Sequence, residues 1–444
     1  MIAVLRQRNF GVVWFGGLIS LAGDYTLIVG VPLFVYRLTG STLATGTIVM
    51  AGLLPRLLLG SLAGVFVDHW DRKRTMVTVN LLLAVCLLPL LVVHSTSRLW
   101  IVYAVQFIES SLVQFFSPAE AALLPRLVQE GELVAANALI AINQNLARLV
   151  GAPLGGVVYA LVKLNGIVLI DAASFLVSAL LIARVTAPTL PKRSRSSDAA
   201  NSVLRFWVRF WREWYAGVRL LLRHHTTAAI FAFVAITAVG EGVFSTLFVP
   251  FVVTVIGGDA RAYGYILAAQ AIGGLLGSIV IGHLGGRAAT RRAFGIAAVV
   301  FGCLDLLLFY YPLFIAGSVV AIALMILVGL PTAAMGIGQQ TLLQTSVADA
   351  YRGRLFGALN TTGALSRLLG ATLAGVLGDR AGIVPILTIQ GVGYILGGAM
   401  LLSVLTGKRV GTNGELPQME MVGTEPPLPQ SQPDSTLPKS LSGK

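Results

Sequence analysis

Four ionisable residues, Asp24, Arg148, Glu241 and Arg367, each lie about 13 or 14 residues into an apolar run long enough to cross a bilayer. A charge in hydrocarbon costs roughly 2.5–3.5 kcal/mol even on the gentlest insertion scale, and groups retained against that cost are commonly functional. The four form related sets, with acids in the first and seventh runs and arginines in the fifth and eleventh. This placement predicts that Asp24 pairs with Arg148, and Glu241 with Arg367, through direct or relayed hydrogen bonds. Such pairs fit two roles: static charge neutralisation that supports helix packing, or a site for a proton or a solute. Glu109, in the fourth run, has no counterpart in the second half of the chain. At helical spacing Gln106, Glu109 and Val113 share a face with Gln114 beside it, which makes Glu109 a candidate protonatable or cation-contacting group. Asp171 and Asp305 lie nearer the ends of their runs, and Arg56, beside Pro55, is expected to balance one of these acids. Five acids against three arginines leave carboxyls over, which suits proton coupling.

Other chemistries find no foothold. His69, His94, His224, His225 and His283 lie near run ends or between runs, without metal-ligand spacing. There is no nucleophile–base constellation and no phosphate-binding loop, so no enzyme, metal centre, cofactor or ATP-driven machine is expected. Cys86 and Cys303 each sit in an apolar stretch, which argues against a disulfide framework.

The elements that must position these residues are membrane helices. The 444 residues are 56% apolar and only 11% charged, whereas a soluble domain is about 25% charged. Lipid is the solvent such a composition fits. Apolar runs fall at approximately 9–36, 42–67, 75–94, 99–121, 134–161, 165–187, 227–256, 262–284, 293–312, 314–340, 354–378 and 383–406. Arg6 and Arg8 precede the first run, which lacks a small-residue cleavage site and reads as a retained helix. Twelve runs place both termini on one side. With that side cytoplasmic, it holds 24 of the 32 Lys and Arg residues, and the opposite loops hold five: Arg37, Arg98, Lys163, Arg261 and Arg380. Setting aside Lys439 and Lys444, far from any run, the imbalance still follows the positive-inside rule. Both termini are therefore expected in the cytoplasm of a multi-pass protein of the cell (inner) membrane. The same rule accounts for the net charge of +13 without nucleic acid.

The domain reading is a six-helix bundle over 1–187, a cytoplasmic linker over 188–226, a second six-helix bundle over 227–409 and a disordered cytoplasmic tail over 410–444. In the linker, Arg205, Arg209, Arg212, Arg219 and Arg223 fall in one narrow helical arc, opposite Trp207, Phe210, Trp211, Trp214, Val218 and Leu221. That is the pattern of a helix lying in the headgroup region, arginines toward anionic lipid and aromatics toward the acyl boundary. The tail is rich in proline and serine and lacks apolar runs.

The two halves repeat. Arg148-Leu-Val-Gly151-Ala-Pro153-Leu-Gly155-Gly156-Val and Arg367-Leu-Leu-Gly370-Ala-Thr-Leu-Ala-Gly375-Val agree at seven of ten positions. Gly23-Asp24 answers Gly240-Glu241, Val31-Pro32 answers Val249-Pro250, Gly60-Ser61 answers Gly277-Ser278, and Cys86 answers Cys303. Repeats of equal topology are related by an axis along the membrane normal, and transporters built this way bind their solute near the midplane.

Between the second and third runs, Gly64-Val-Phe-Val-Asp68-His-Trp-Asp71-Arg72-Lys73-Arg74 resembles the loop signature of the major facilitator superfamily, with His69 and Asp71 in place of the usual arginine and glycine. A second copy, Gly282-His-Leu-Gly-Gly286 followed by Arg291-Arg292, lacks the acid. With Gly23-Asp24, Leu54-Pro55-Arg56, Leu123-Leu124-Pro125-Arg126 and Asp171-Ala172, the chain from residue 5 to about 406 is similar to the branch holding enterobactin exporters and macrolide efflux proteins. The resemblance implies an all-α fold of twelve transmembrane helices in two pseudo-symmetric six-helix bundles. It also implies proton-coupled export, by alternating access, of a small amphiphilic molecule such as a drug, a macrolide-like compound or a siderophore, by a chain functional as a monomer. A lysophospholipid flippase or a small-molecule importer of the same fold is the alternative. Gly64, Asp68, Arg72 and Lys73 would form a cytoplasmic gate, Asp68 capping a helix or pairing with the basic cluster, or else the cluster simply anchors the loop inside. Gly151, Pro153, Gly155 and Gly156 are similar to the glycine–proline motif of exporters, interrupted by Ala152; close helix packing explains the same residues.

Overall fold

The computed structural model describes residues 2–186, 211–212, 214–215, 217–219, 222, 225–284, 291–346 and 349–406. After a short turn at Ile2–Leu5, the chain runs through α1 (Arg8–Thr39), α2 (Thr42–His69), α3 (Arg72–Leu87), α4 (Leu99–Leu123) and α5 (Leu133–Ala183). It continues through α6 (His225–Pro250), α7 (Ala260–Leu284), α8 (Arg291–Tyr310), α9 (Ser318–Ser346), α10 (Asp349–Ala381) and α11 (Ile383–Thr406). Hydrocarbon supplies no partner for backbone N–H and C=O groups, and a helix satisfies them internally. The boundaries follow local chemistry. Gly40, at φ 63°, ends α1 in the left-handed conformation and donates its N–H to Tyr36 O. Asp71 caps α3, accepting from the Arg74 N–H at 2.8 Å.

Among the described residues ten segments are long and apolar enough to cross a membrane. Two features separate that number from the twelve apolar runs. The fifth and sixth runs join into α5, whose 51 residues would extend about 77 Å at 1.5 Å per residue, more than twice a hydrocarbon core of about 30 Å. Lys163, at φ 60° and ψ −152°, breaks α5 between them. The other feature is α10, which has the length of a span but carries Arg352, Arg354, Ser366, Arg367 and Asp379.

Bulky apolar side chains stay exposed along the outside, among them Trp100, Leu161, Leu180, Phe314 and Val319. Such a surface is untenable in water and natural in lipid. Inside, α1 packs on α5, α6 on α10, α2 on α4 and α7 on α9; α5 also packs on α7, and α2 on α10. Small residues permit these approaches. Gly151 lies against the Ala22 carbonyl and Tyr25 of α1, Gly155 against Thr26 of α1, and Gly156 against the Ala260 carbonyl of α7. Pro153 Cα lies close to Gly264, also of α7. The repeat-related Gly370 bears the same relation to the Val239 carbonyl of α6, and Gly375 to Thr42 and Leu43 of α2.

A charged tie joins the end of α10 to the start of α2. The Asp379 carboxylate, near the end of α10, accepts from the backbone N–H of Thr42 at 3.1 Å and from Ser41 Oγ at 3.3 Å. A carboxylate at a helix N-terminus satisfies an orphan donor and complements the helix dipole. Thr42 Oγ1 donates in turn to the Gly375 carbonyl at 3.0 Å.

The amphipathic linker helix expected over 203–223 lies mostly outside the described residues, as do Arg205, Trp207, Arg209, Phe210, Leu221 and Arg223 and the tail from 407 onward. Where the linker is described, the expected lipid-facing placement is corrected for two residues. Trp214 Nε1 donates to Thr362 Oγ1 of α10 at 3.3 Å, and both Trp214 and Val218 pack on the protein core. An indole N–H finds its acceptor there on a polar helix instead of at the headgroups.

The glycine contacts make a direct prediction. A Cβ at Gly370 would overlap the Val239 carbonyl, whereas one at Gly336 or Gly357 meets nothing within 4 Å. Gly370→Val should lower the melting temperature of the purified protein markedly, with overpacking worth about 1–3 kcal/mol or more. Gly336→Ala and Gly357→Ala should leave it unchanged or raise it slightly through helix propensity. Equal melting temperatures for Gly370→Val and wild type would refute the close approach.

Candidate functional site

A set of interior polar side chains lines a cavity of about 520 Å³. Its charged lining residues are Arg148, Glu241 and Arg367, and its uncharged polar ones include Asn145, Gln270, Thr332, Gln339 and Gln390. Phe233, Phe244, Phe301, Tyr394 and Met335 supply an apolar, largely aromatic wall. These residues come from α5 through α11, so the cavity exists only once distant stretches of the chain are assembled.

Glu241 and Arg367 meet within it. Glu241 Oε2 lies 2.6 Å from both Nε and Nη2 of Arg367, and its Oε1 accepts from the Tyr394 hydroxyl at 3.0 Å. The side chains keep 37% and 40% of their exposure, so the pair faces the cavity and is only partly desolvated. Tyr394 meets Phe301 at a tilt of 51°, ring centroids 4.4 Å apart, and lies edge-on to Phe233 at 6.0 Å. One turn away on α11, Gln390 Nε2 donates to Asp305 Oδ2 of α8 at 2.8 Å. A hydrogen-bonded chain thus binds α6 to α10 and α11, and α11 to α8.

A direct Asp24–Arg148 ion pair is absent. Arg148 Nη2 donates to Gln270 Oε1 of α7, and Asp24 Oδ1 is buried without a hydrogen-bond partner. The packing of α5 on α7 explains the difference: it brings a neutral amide from the other half of the chain within reach of the guanidinium. Arg56 does not balance an acid either. It lies within electrostatic range of Arg367, and among the described residues it has no carboxylate partner.

Glu109 stands apart from the cavity lining. Its Oε2 is buried and unpartnered, and its neighbour Ser110 accepts from Gln106 Nε2 at 3.4 Å. Asp171 is fully buried on α5, where Ser174 Oγ donates to its Oδ1 at 3.1 Å and its Oδ2 has no partner. Gly23 of α1 rests directly on Asp171 and Ser174, which places Asp24 one residue from that acid.

In the loop signature, the surroundings of Gly64 and the side chain of Asp68 fall outside what the structure describes. Arg72 Nη1 donates to the Trp70 carbonyl at 3.0 Å, and the cap of the following helix is Asp71. Lys73 occupies the first turn of α3. Sequence spacing did not single out Gln270, Gln390 or Tyr394. Gln390 and Tyr394 stand four residues apart within an apolar run, a spacing that marks one polar face of a helix.

An α-helical membrane bundle with charged groups gathered in an internal cavity defines a multi-pass membrane transport protein. The chain belongs to the transmembrane secretion effector family, whose pattern matches residues 1–425, and it is a transporter of the major facilitator type, not an enzyme. It is 24% identical over 382 residues to macrolide efflux protein A of Streptococcus pyogenes, covering 85% of this chain and 91% of that one. It is 29% identical over 385 residues to the multidrug efflux pump Tap of Mycolicibacterium fortuitum, covering 84% and 90%. The fold is similar to that of a bacterial homologue of the iron transporter ferroportin in an inward-facing state, with a TM-score of 0.70 at 14% identity over 90% of this chain and 99% of that one. The D323A mutant of the nucleoside transporter NupG gives a TM-score of 0.71 at 12% identity, over 89% and 99%.

A double-substitution cycle tests the coupling across the cavity. Glu241→Gln leaves Arg367 without its counter-ion and should cost about 1–3 kcal/mol, below the value for a fully buried pair because of the remaining exposure. Glu241→Gln with Arg367→Gln should recover much of that loss. Additive losses in melting temperature would mean that the two groups are not coupled.

Proposed function

We propose that this chain is a proton-coupled exporter of small amphiphilic molecules, working by alternating access between two related six-helix bundles. In this reading the twelve apolar runs are twelve crossings, with α5 contributing two on either side of Lys163 and the polar α10 contributing one. The protein sits in the cell membrane with both termini in the cytoplasm, and a single chain supplies the pathway. The observation that carries the proposal is the internal cavity: a charged network on one wall, aromatic rings on another, and helices from both halves of the chain around it. That combination suits a solute with an apolar body and a few polar groups. The names of the macrolide and multidrug efflux relatives agree with outward transport of such a molecule.

Proton coupling rests on Asp24, Glu109 and Asp171. Each has a buried carboxyl oxygen without a partner. An ionised carboxyl of that kind is costly in lipid, so each is a place where a proton can be carried. Loading and release of that proton would be linked to the rocking of the bundles, with Gly64, Asp68, Arg72 and Lys73 as the cytoplasmic gate and the Gly151–Gly156 stretch as the close-packed hinge surface.

Expression in an efflux-deficient bacterial host, with macrolide, dye and siderophore susceptibility as the readout, tests the proposal. The protein should raise resistance to at least one amphiphile, and Glu109→Gln and Asp24→Asn should abolish most of that gain while membrane abundance stays unchanged. Efflux that survives both substitutions at every external pH would overturn proton coupling through these residues. No change in susceptibility or dye accumulation for any compound would overturn the export reading.

A further inference from the structure

We propose that the cavity selects amphiphiles bearing an anionic group, with Arg148 as the residue that binds it; this rests on the transport reading above and names its substrate class. Three charged residues line the cavity, and two of them neutralise each other in the Glu241–Arg367 pair. Glu241 also accepts from the Tyr394 hydroxyl, so its charge is shared between the guanidinium of Arg367 and a phenol. Arg148 is different. Its partner is the neutral Gln270 amide, and among the described residues no carboxylate lies within ion-pair distance of it. The acids that could offset this charge, Asp24, Glu109, Asp171 and Asp305, are not among the lining residues.

The cavity therefore presents a guanidinium whose positive charge is uncompensated. A carboxylate, sulfonate or phosphate on a solute can replace the Gln270 oxygen with two charge-assisted, bidentate hydrogen bonds. A cationic solute would meet that guanidinium with no free carboxylate to answer its own charge. Phe301, Tyr394 and Phe233 lie on the cavity wall to receive the apolar body. Arg148 lies on α5 and Gln270 on α7, so an anion bound there touches helices from both halves of the chain.

Two dyes built on one tricyclic ring separate charge from shape: fluorescein, an anion at slightly alkaline pH, and rhodamine 123, a cation. Binding to the purified full-length protein in nanodiscs is read by fluorescence anisotropy. Fluorescein should bind at least about tenfold more tightly than rhodamine 123, as expected for a charge-assisted pair. Arg148→Gln should remove that preference, and Arg148→Lys, which keeps the charge and loses the fork, should retain part of it. The wild-type ratio stands even where a variant folds poorly. Rhodamine 123 binding as tightly as fluorescein, no binding of fluorescein, or fluorescein binding indifferent to Arg148→Gln in folded protein would each overturn the proposal. Retained efflux of macrolides in cells alongside any of these results would sink the anion preference and leave the export reading standing.

Discussion

Hydrocarbon offers no hydrogen-bond partner, and that constraint shapes the rest of this molecule. A polar group placed at mid-depth is stabilised by a complement on another helix, and the helices are tied where such complements meet. Arg367 of α10 reaches Glu241 of α6, which receives Tyr394 of α11; α11 then hands Gln390 to Asp305 of α8. Four helices are held in register by a handful of hydrogen bonds that water would weaken severalfold. On the α1 side the polar ties are different in kind: Trp14 donates to the Leu139 carbonyl, Asn143 to the Trp14 carbonyl and Asn80 to Ser178. They use neutral donors, and the acids Asp24, Glu109 and Asp171 each keep a buried oxygen unpartnered.

The chain is therefore asymmetric in charge although its sequence repeats. One set of helices has spent its acid on an arginine, and the other has kept both apart. Arg148 turns to Gln270 on α7, so the guanidinium crosses between the two halves of the chain in place of closing a pair within its own. Close contacts at glycine let this happen, since Gly156 on the same helix lets α5 lie directly on the start of α7. The mirrored contact, Gly375 on the start of α2, carries the additional Asp379 cap.

How much of this was legible in the sequence depends on the kind of signal. Apolar runs of span length are visible because lipid demands them, and Glu241 and Arg367 stand out because charges are rare there. The same rarity misled for Asp24 and Arg148, because equal spacing in both halves says nothing about a competing partner 122 residues away. Gln270, one amide in an apolar run, has no spacing signature at all. Gln390 and Tyr394 carried a weak one, two polar groups a helical turn apart. The break at Lys163 is set by a single residue's backbone angles, which neither composition nor periodicity encodes. Asp71 could have been read as a cap from its place just before a helical run.

The central claim is that the cavity around the Glu241–Arg367 pair opens to water on each side of the membrane in turn. Thr332, on the cavity wall, provides the direct measurement. In a variant with Cys86 and Cys303 replaced by serine, Thr332→Cys should react with a membrane-impermeant maleimide both from outside in intact cells and from the cytoplasmic side in everted vesicles. Labelling from one side only, with and without a transported compound, would contradict alternating access.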